Sequence, residues 1–160
     1  MRTWRVAFPA GTLAVALIVA GCGGGGSELS TSSISKAAFI KKLDAICARG
    51  NEAAEANFTA YAKKTNFSPA EINKKMSEAE AAELAETVLL PAVKQEVVQI
   101  RKLSVPSGDR DRIEAMLDAI EEGIETTEKI PKIVLEEISV GFGVANRLAK
   151  EYGLQVCGNR

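Results

Sequence analysis

Apolar positions follow two different rhythms along this chain. From Val6 to Ala20 they form one uncharged run, with Pro9 and Gly11 near its start. From Ile34 onward they return every three or four residues, the spacing that lays an apolar stripe along a helix. Ser35 can cap a first helix running to about Lys64. In it Ile40, Cys47, Ala54 and Tyr61 recur at heptad spacing, and Phe39, Leu43, Ile46 and Ala53 widen the stripe. Ser68-Pro69-Ala70-Glu71 is a helix start signal: a capping serine, proline at the first helical position and glutamate three residues after the serine. The second helix it predicts runs to about Leu103, with Ile72, Met76, Val93, Val97 and Ile100 facing inward. Pro91 lies inside it and has no N–H to donate, which predicts a kink or a break.

Val105-Pro106-Ser107-Gly108-Asp109 reads as a turn. A third helix follows to about Glu128, with Ile113, Leu117, Ile120 and Ile124 on one face. Pro131 opens a fourth, along which Val134, Ile138, Phe142, Ala145, Ala149 and Tyr152 align, and Gly153 is placed to end it in the left-handed conformation. Gly141 and Gly143 on either side of Phe142 predict an interruption there, or a close approach to a neighbouring helix. Helices one and two are rich in alanine, which fits either tight helix spacing or an apolar cavity. No segment alternates as a strand does. The expected fold is all-α: an antiparallel four-helix bundle with a kinked or broken second helix.

The N-terminal run has another meaning. Arg2 and Arg5 precede it, and Val19-Ala20-Gly21-Cys22 closes it. At about 15 residues it falls short of the roughly 20 that span a bilayer as a helix. A short basic region, a short apolar region and small residues before a cut make an export signal. The V-A-G-C ending resembles the bacterial lipobox read by the lipoprotein signal peptidase. That resemblance implies cleavage before Cys22 and a diacylglyceryl lipid with palmitate-type chains on its sulfur. Gly23 to Gly26 and Ser27 to Ser33 then form a flexible tether, with a root-mean-square reach of about 5–6 Å × √n. The expected organisation is a signal peptide over 1–21, lipidated cysteine and tether over 22–33, and a helical domain over 34–160. The expected location is the outer face of the cell membrane.

Cysteine arithmetic agrees. Three cysteines leave one without a partner in an exported protein. With Cys22 lipidated, Cys47 and Cys157 remain, and an oxidising compartment favours their bridging. In an up-down-up-down bundle the end of helix four lies near the start of helix one, within reach of that bond. The segments I-S-K-A-A-F-I at Ile34 to Ile40, D-A-I-C at Asp44 to Cys47 and Y-G-L-Q-V-C-G at Tyr152 to Gly158 look like those of small exported helical lipoproteins of high-GC Gram-positive bacteria. The resemblance brackets the whole domain and implies the same Cys47–Cys157 staple and surface location. It carries no established activity.

Charge and chemistry narrow the function by what they lack. Loss of Arg2 and Arg5 takes Lys+Arg from 20 to 18 against 21 Asp+Glu. A mildly acidic surface has no electrostatic reason to bind nucleic acid. The chain has no histidine, the commonest general base near neutral pH and the commonest transition-metal ligand. The glycine run carries no lysine partner and precedes no strand–helix unit, so it is not a phosphate loop. No cofactor, metal or catalytic residue is expected. On helix three, at about 100° per residue, Glu114, Asp118, Glu121, Glu122, Glu125 and Glu128 fall on one flank. That flank is either a docking strip for a basic partner or a solvated face.

The functional expectation is a non-catalytic binding or interaction module, anchored at the membrane through Cys22. The alternative is a carrier of an apolar small molecule held near Pro91 and Phe142, which calls for an enclosed cavity of about 300 Å³ or more. An enzyme would need a buried carboxylate pair in a cleft.

Overall fold

A computed structural model describes residues 34–68 and 76–159. The export signal, Cys22, the tether and, in the expected second-helix start, Pro69 to Ile72 lie outside the described residues. No strand occurs among the described residues, and the architecture is all-α with one disulfide.

Helix α1 spans Lys36–Thr65. The Ser35 hydroxyl accepts from the Ala38 N–H, and Asn66 closes the other end in the left-handed conformation. The buried face carries Phe39, Leu43, Ile46, Cys47, Gly50 and Tyr61. Ala53, expected to widen this stripe, is exposed.

Helix α2 spans Glu78–Leu84 and starts with a capping box. The Glu80 N–H reaches the Ser77 hydroxyl, and the Ser77 N–H returns to the Glu80 carboxylate at 2.8 Å. That bond holds the Glu80 carboxyl below its ordinary range. A π-helical turn, Ala85–Leu89, leads into α3, Leu90–Ile100. Pro91 is the physical cause of this irregularity. It has no N–H for the i→i−4 ladder, and just before it the Leu90 N–H bonds back to the Ala85 carbonyl, five residues earlier. The expected kink at Pro91 is therefore a π-turn ahead of it, and the helix ends at Ile100 rather than Leu103.

Helix α4 spans Arg110–Lys129. The expected fourth helix is two: α5, Pro131–Glu136, and α6, Ile138–Tyr152, separated at Glu137. Glu137 has extended backbone, whereas Gly141 and Gly143 lie within an unbroken α6. Gly141 serves the other predicted purpose, close approach, whereas a Cβ at Gly143 would meet only Ser139 of its own helix, at 3.6 Å. Gly141 packs against Val134 and Thr127, and its carbonyl comes so near Gly123 on α4 that a Cβ there would lie 2.6 Å from it. The same Cβ would meet the Phe142 ring at 2.6 Å. Gly123→Ala is therefore expected to destabilise the fold although alanine favours a helix by about 1 kcal/mol. Overpacking costs about 1–3 kcal/mol, so the unfolding midpoint in urea should fall. A midpoint at or above the parent's would contradict this packing.

The four helical arms meet in one core that includes Phe39, Leu43, Ile100, Ile113, Leu117 and Leu154. α1 packs on α3, α3 on α4 and α4 on α6. The circuit closes through the C-terminal segment. Gly153 ends α6 with φ of 108°, and the short 3-10 turn Cys157–Asn159 lies between α6 and α1. At this pole Phe39 and Tyr152 meet edge to face, with ring centroids 6.3 Å apart. The Tyr152 hydroxyl donates to Asp109 at 2.8 Å. At the opposite end a smaller cluster joins Tyr61, Met76, Ala81 and Leu84 to Leu135 of α5.

Candidate functional site

α3, α4 and α6 do not close fully on one another. Between them lies a crevice of about 60 Å³ whose walls are mostly apolar. The π-turn brings Leu89 to one wall, α4 supplies Met116 and Ile120, and α6 supplies Ile138, Phe142 and Ala145. The Cys47–Cys157 disulfide lines it too. Two polar side chains share this surface, Glu96 and Asn146.

Glu96 is 4% exposed and is the one buried acid among the described residues. α3 carries it on the same stripe as Val93, Val97 and Ile100, so it is delivered into the interior by helical spacing alone. Room for it comes from Gly50 on α1. A Cβ at position 50 would fall on the Glu96 carboxylate. Thr127, the other buried polar residue described, donates to the Gly123 carbonyl at 2.7 Å within its own helix. The sequence reading missed Glu96 and Gly50. The signal was present: a glutamate among inward-facing valines, and a glycine three residues after Cys47 on an apolar stripe.

The expected disulfide is formed: Cys47 and Cys157 are bridged, with Cα atoms 5.4 Å apart. Asp44 works beside it. Its carboxylate accepts from the backbone N–H groups of Gln155, Val156 and Cys157 at 3.1, 2.8 and 3.3 Å. Such charge-assisted bonds are about twice as strong as neutral ones. The aspartate of the D-A-I-C segment thus clamps the chain that carries the second cysteine. Asp44→Ala should speed hydrogen exchange at the Val156 and Cys157 amides on the order of 30-fold, matching roughly 2 kcal/mol of local stability. Unchanged exchange would remove this role.

The acidic flank of α4 faces solvent, and much of it is engaged within the chain. Arg101 reaches Glu121 at 2.6 Å and Glu114 at 3.9 Å. Lys94 meets Glu128 at 2.8 Å, and Lys129 meets Glu125 at 3.1 Å within the helix. Asp118 and Glu122 are exposed on the same helix. Exposed pairs of this kind contribute about 0–1 kcal/mol each. Four of the six acids therefore have intramolecular partners, three of them stitching α4 to α3.

The apolar surface is concentrated elsewhere. Ile130, Ile133, Ile138, Val140 and Val144 are 38% to 50% exposed and flank the α5–α6 break. Val98 is the one other large apolar side chain exposed among the described residues. Ile138 belongs to both features, because it also lines the crevice.

Among the described residues, no group of three or more Cys, Asp or Glu is placed to hold a metal ion. No helix there is long and apolar enough to cross a membrane. No protein-family model, curated protein or solved structure matches the chain.

Proposed function

We propose that this chain is a lipoprotein anchored at the outer face of the membrane through Cys22, serving as a non-catalytic binding or interaction module. The observation that carries the binding role is that five of the six exposed large aliphatic side chains among the described residues fall between Ile130 and Val144, around the α5–α6 break, and one of them, Ile138, also lines the crevice. Folded domains bury such residues where they can, and a clustered exception marks an interaction surface. The anchor reading is supported by the V-A-G-C ending, the glycine tether and the odd cysteine count. A catalytic role finds little support: the chain has no histidine, and Glu96 has no second buried acid beside it among the described residues.

The crevice favours a second reading, a carrier. Its roughly 60 Å³ is far below the space a sizeable apolar guest needs, so this reading holds only for a small molecule.

Two measurements test the main reading. Cys22→Ser should move the protein from the membrane fraction to the soluble one. Native mass spectrometry of the protein extracted from its own membranes should show a retained partner that the double variant Val140→Asp, Val144→Asp releases. A Cys22→Ser protein that stays membrane-bound would overturn the anchor. A parent and double variant with identical bare masses would overturn the elbow's role.

A further inference from the structure

The chain is mildly acidic as a whole, yet its charge is not spread evenly. The pole where Phe39 meets Tyr152 gathers the first turns of α1 and α4, the end of α3 with its loop, and the end of α6 with the C-terminal segment. These stretches, 34–44, 97–117 and 146–159, hold nine Lys and Arg against five Asp and Glu. The other described stretches, 45–68, 76–96 and 118–145, hold six against fourteen. Hydrogen bonds and ion pairs sharpen the contrast. Of the five acids at the pole, Asp44 accepts from three backbone N–H groups, Asp109 accepts from the Tyr152 hydroxyl, and Glu114 meets Arg101. Asp111 and Glu151 are the two left over. Of the nine cations, Arg101 is the one with an ion pair among the described residues. Lys36 lies over the Tyr152 ring at 4.2 Å, and Lys102, Arg110, Arg112 and Lys150 are exposed on the same pole.

This is also the pole at which the chain from Cys22 arrives, since α1 begins there. The twelve residues from Cys22 to Ile34 can span at most about 43 Å. An anionic bilayer attracts Lys and Arg over roughly a Debye length, about 8 Å at physiological salt. α1, with 30 residues, is about 45 Å long. With the pole against the bilayer, the acidic far end therefore lies outside the range of repulsion. A tether also makes the contact intramolecular, at an effective concentration of order mM, so a weak attraction suffices to hold it.

We propose that this cationic pole rests on anionic phospholipid headgroups of the membrane that holds Cys22. This rests on the anchor reading and adds an orientation to it. The domain then stands on the ends of its helices. The opposite end, where Leu135 of α5 joins the Tyr61 cluster, faces away from the bilayer, and the neighbouring Ile133 of the elbow is presented to a partner.

The test uses the protein isolated from its own membranes and reconstituted in vesicles of phosphatidylcholine, with or without an equal part of phosphatidylglycerol. A trace of headgroup spin-labelled lipid quenches any tryptophan close to the surface. The chain's one tryptophan, Trp4, lies in the export signal, so the parent supplies the blank and single replacements report position. Ser104→Trp and Ser107→Trp report the pole, and Ile133→Trp reports the elbow; all three positions are exposed. A cation near an anionic surface shifts such an equilibrium about fivefold. Phosphatidylglycerol should therefore raise quenching at the pole several-fold and leave Ile133→Trp nearly unchanged, and high salt should abolish the rise. Arg110→Glu with Arg112→Glu should remove most of it. Flotation with the vesicles reads the anchor separately. A floating protein whose pole is quenched equally in both lipids would overturn the pole contact and leave the anchor standing. So would one whose elbow reporter gains as much as its pole reporters. A protein that does not float would overturn both. An undiminished rise in the doubly reversed variant would overturn the assignment to the pole's cations. Either serine reporter alone decides the lipid comparison if the other fails to fold.

Discussion

Replacing Cys47 and Cys157 together by alanine should lower the folding free energy by about 4–5 kcal/mol. The bond joins residues 110 apart in sequence, so its loss frees almost the whole domain in the unfolded state. In the chain-entropy account the stabilisation grows with the logarithm of the loop, and this loop is long. The native side adds to the expectation. α6 reaches α1 largely through the C-terminal turn, which the disulfide and Asp44 hold. Whole domains are stable by only about 5–15 kcal/mol, so the double variant should stand near its folding threshold. Guanidinium unfolding followed by helical circular dichroism measures the difference. A loss under about 1 kcal/mol would mean that the α1–α6 union stands on packing alone.

The features legible in the sequence were those that depend on neighbours along the chain. The extent of α1 followed from its stripe and Ser35, and Gly153 ends α6 because its backbone is left-handed there. Pro91 announced an irregularity, because a missing donor is a local fact. The disulfide followed from counting once Cys22 was set aside. What depends on neighbours across space stayed hidden. The break at Glu137 has no proline or glycine to mark it, and the glycines at 141 and 143 pointed a turn too far along. Gly123 is informative only once α4 is known to lie against Phe142. The acidic flank read as either a docking strip or a solvated face, and its ion pairs with Arg101 and Lys94 of the preceding arm depend on packing that periodicity does not show. α6 is apolar on more than one side, so periodicity could not tell that Ile138 and Val144 are exposed while Ala145 is buried.

Glu96 shows the same limit at the candidate site. A single acid on an otherwise apolar stripe is averaged away when a helix is read as a pattern. Its burial becomes visible only when Gly50 on another helix is found to receive it. The site is thus a product of two local exceptions, a glutamate where a hydrophobe was due and a glycine where a side chain was due. Neither exception helps a helix taken alone, since glycine costs about 1 kcal/mol in one and buried charge is costly.

Alkaline pH should destabilise the domain steeply, and tyrosine is the reason. The chain has two tyrosines, and both hydroxyls are held above their ordinary range near 10. Burial is the main cause for each. At Tyr61 the charges of Glu83 and Glu80 add to it; at Tyr152 the hydrogen bond to Asp109 adds to it and Arg112 opposes it in part. Lys36 lies over the Tyr152 ring at 4.2 Å. A folded value above the unfolded one means that the native state keeps its protons longer. The stabilisation is complete below about pH 10 and is lost as pH rises through that value toward the folded ones. Each tyrosine then contributes a slope of up to about 1.4 kcal/mol per pH unit. Tyrosinate absorbance checks this directly. At about pH 10.5 the native protein should show less tyrosinate signal than the guanidinium-unfolded chain, where both phenols ionise near 10. Tyr152→Phe should reduce the slope of stability against pH. Equal absorbance in the two states would mean that neither phenol is shielded, and that the Tyr152–Asp109 bond tying the α4 start to the α6 end is not held in solution.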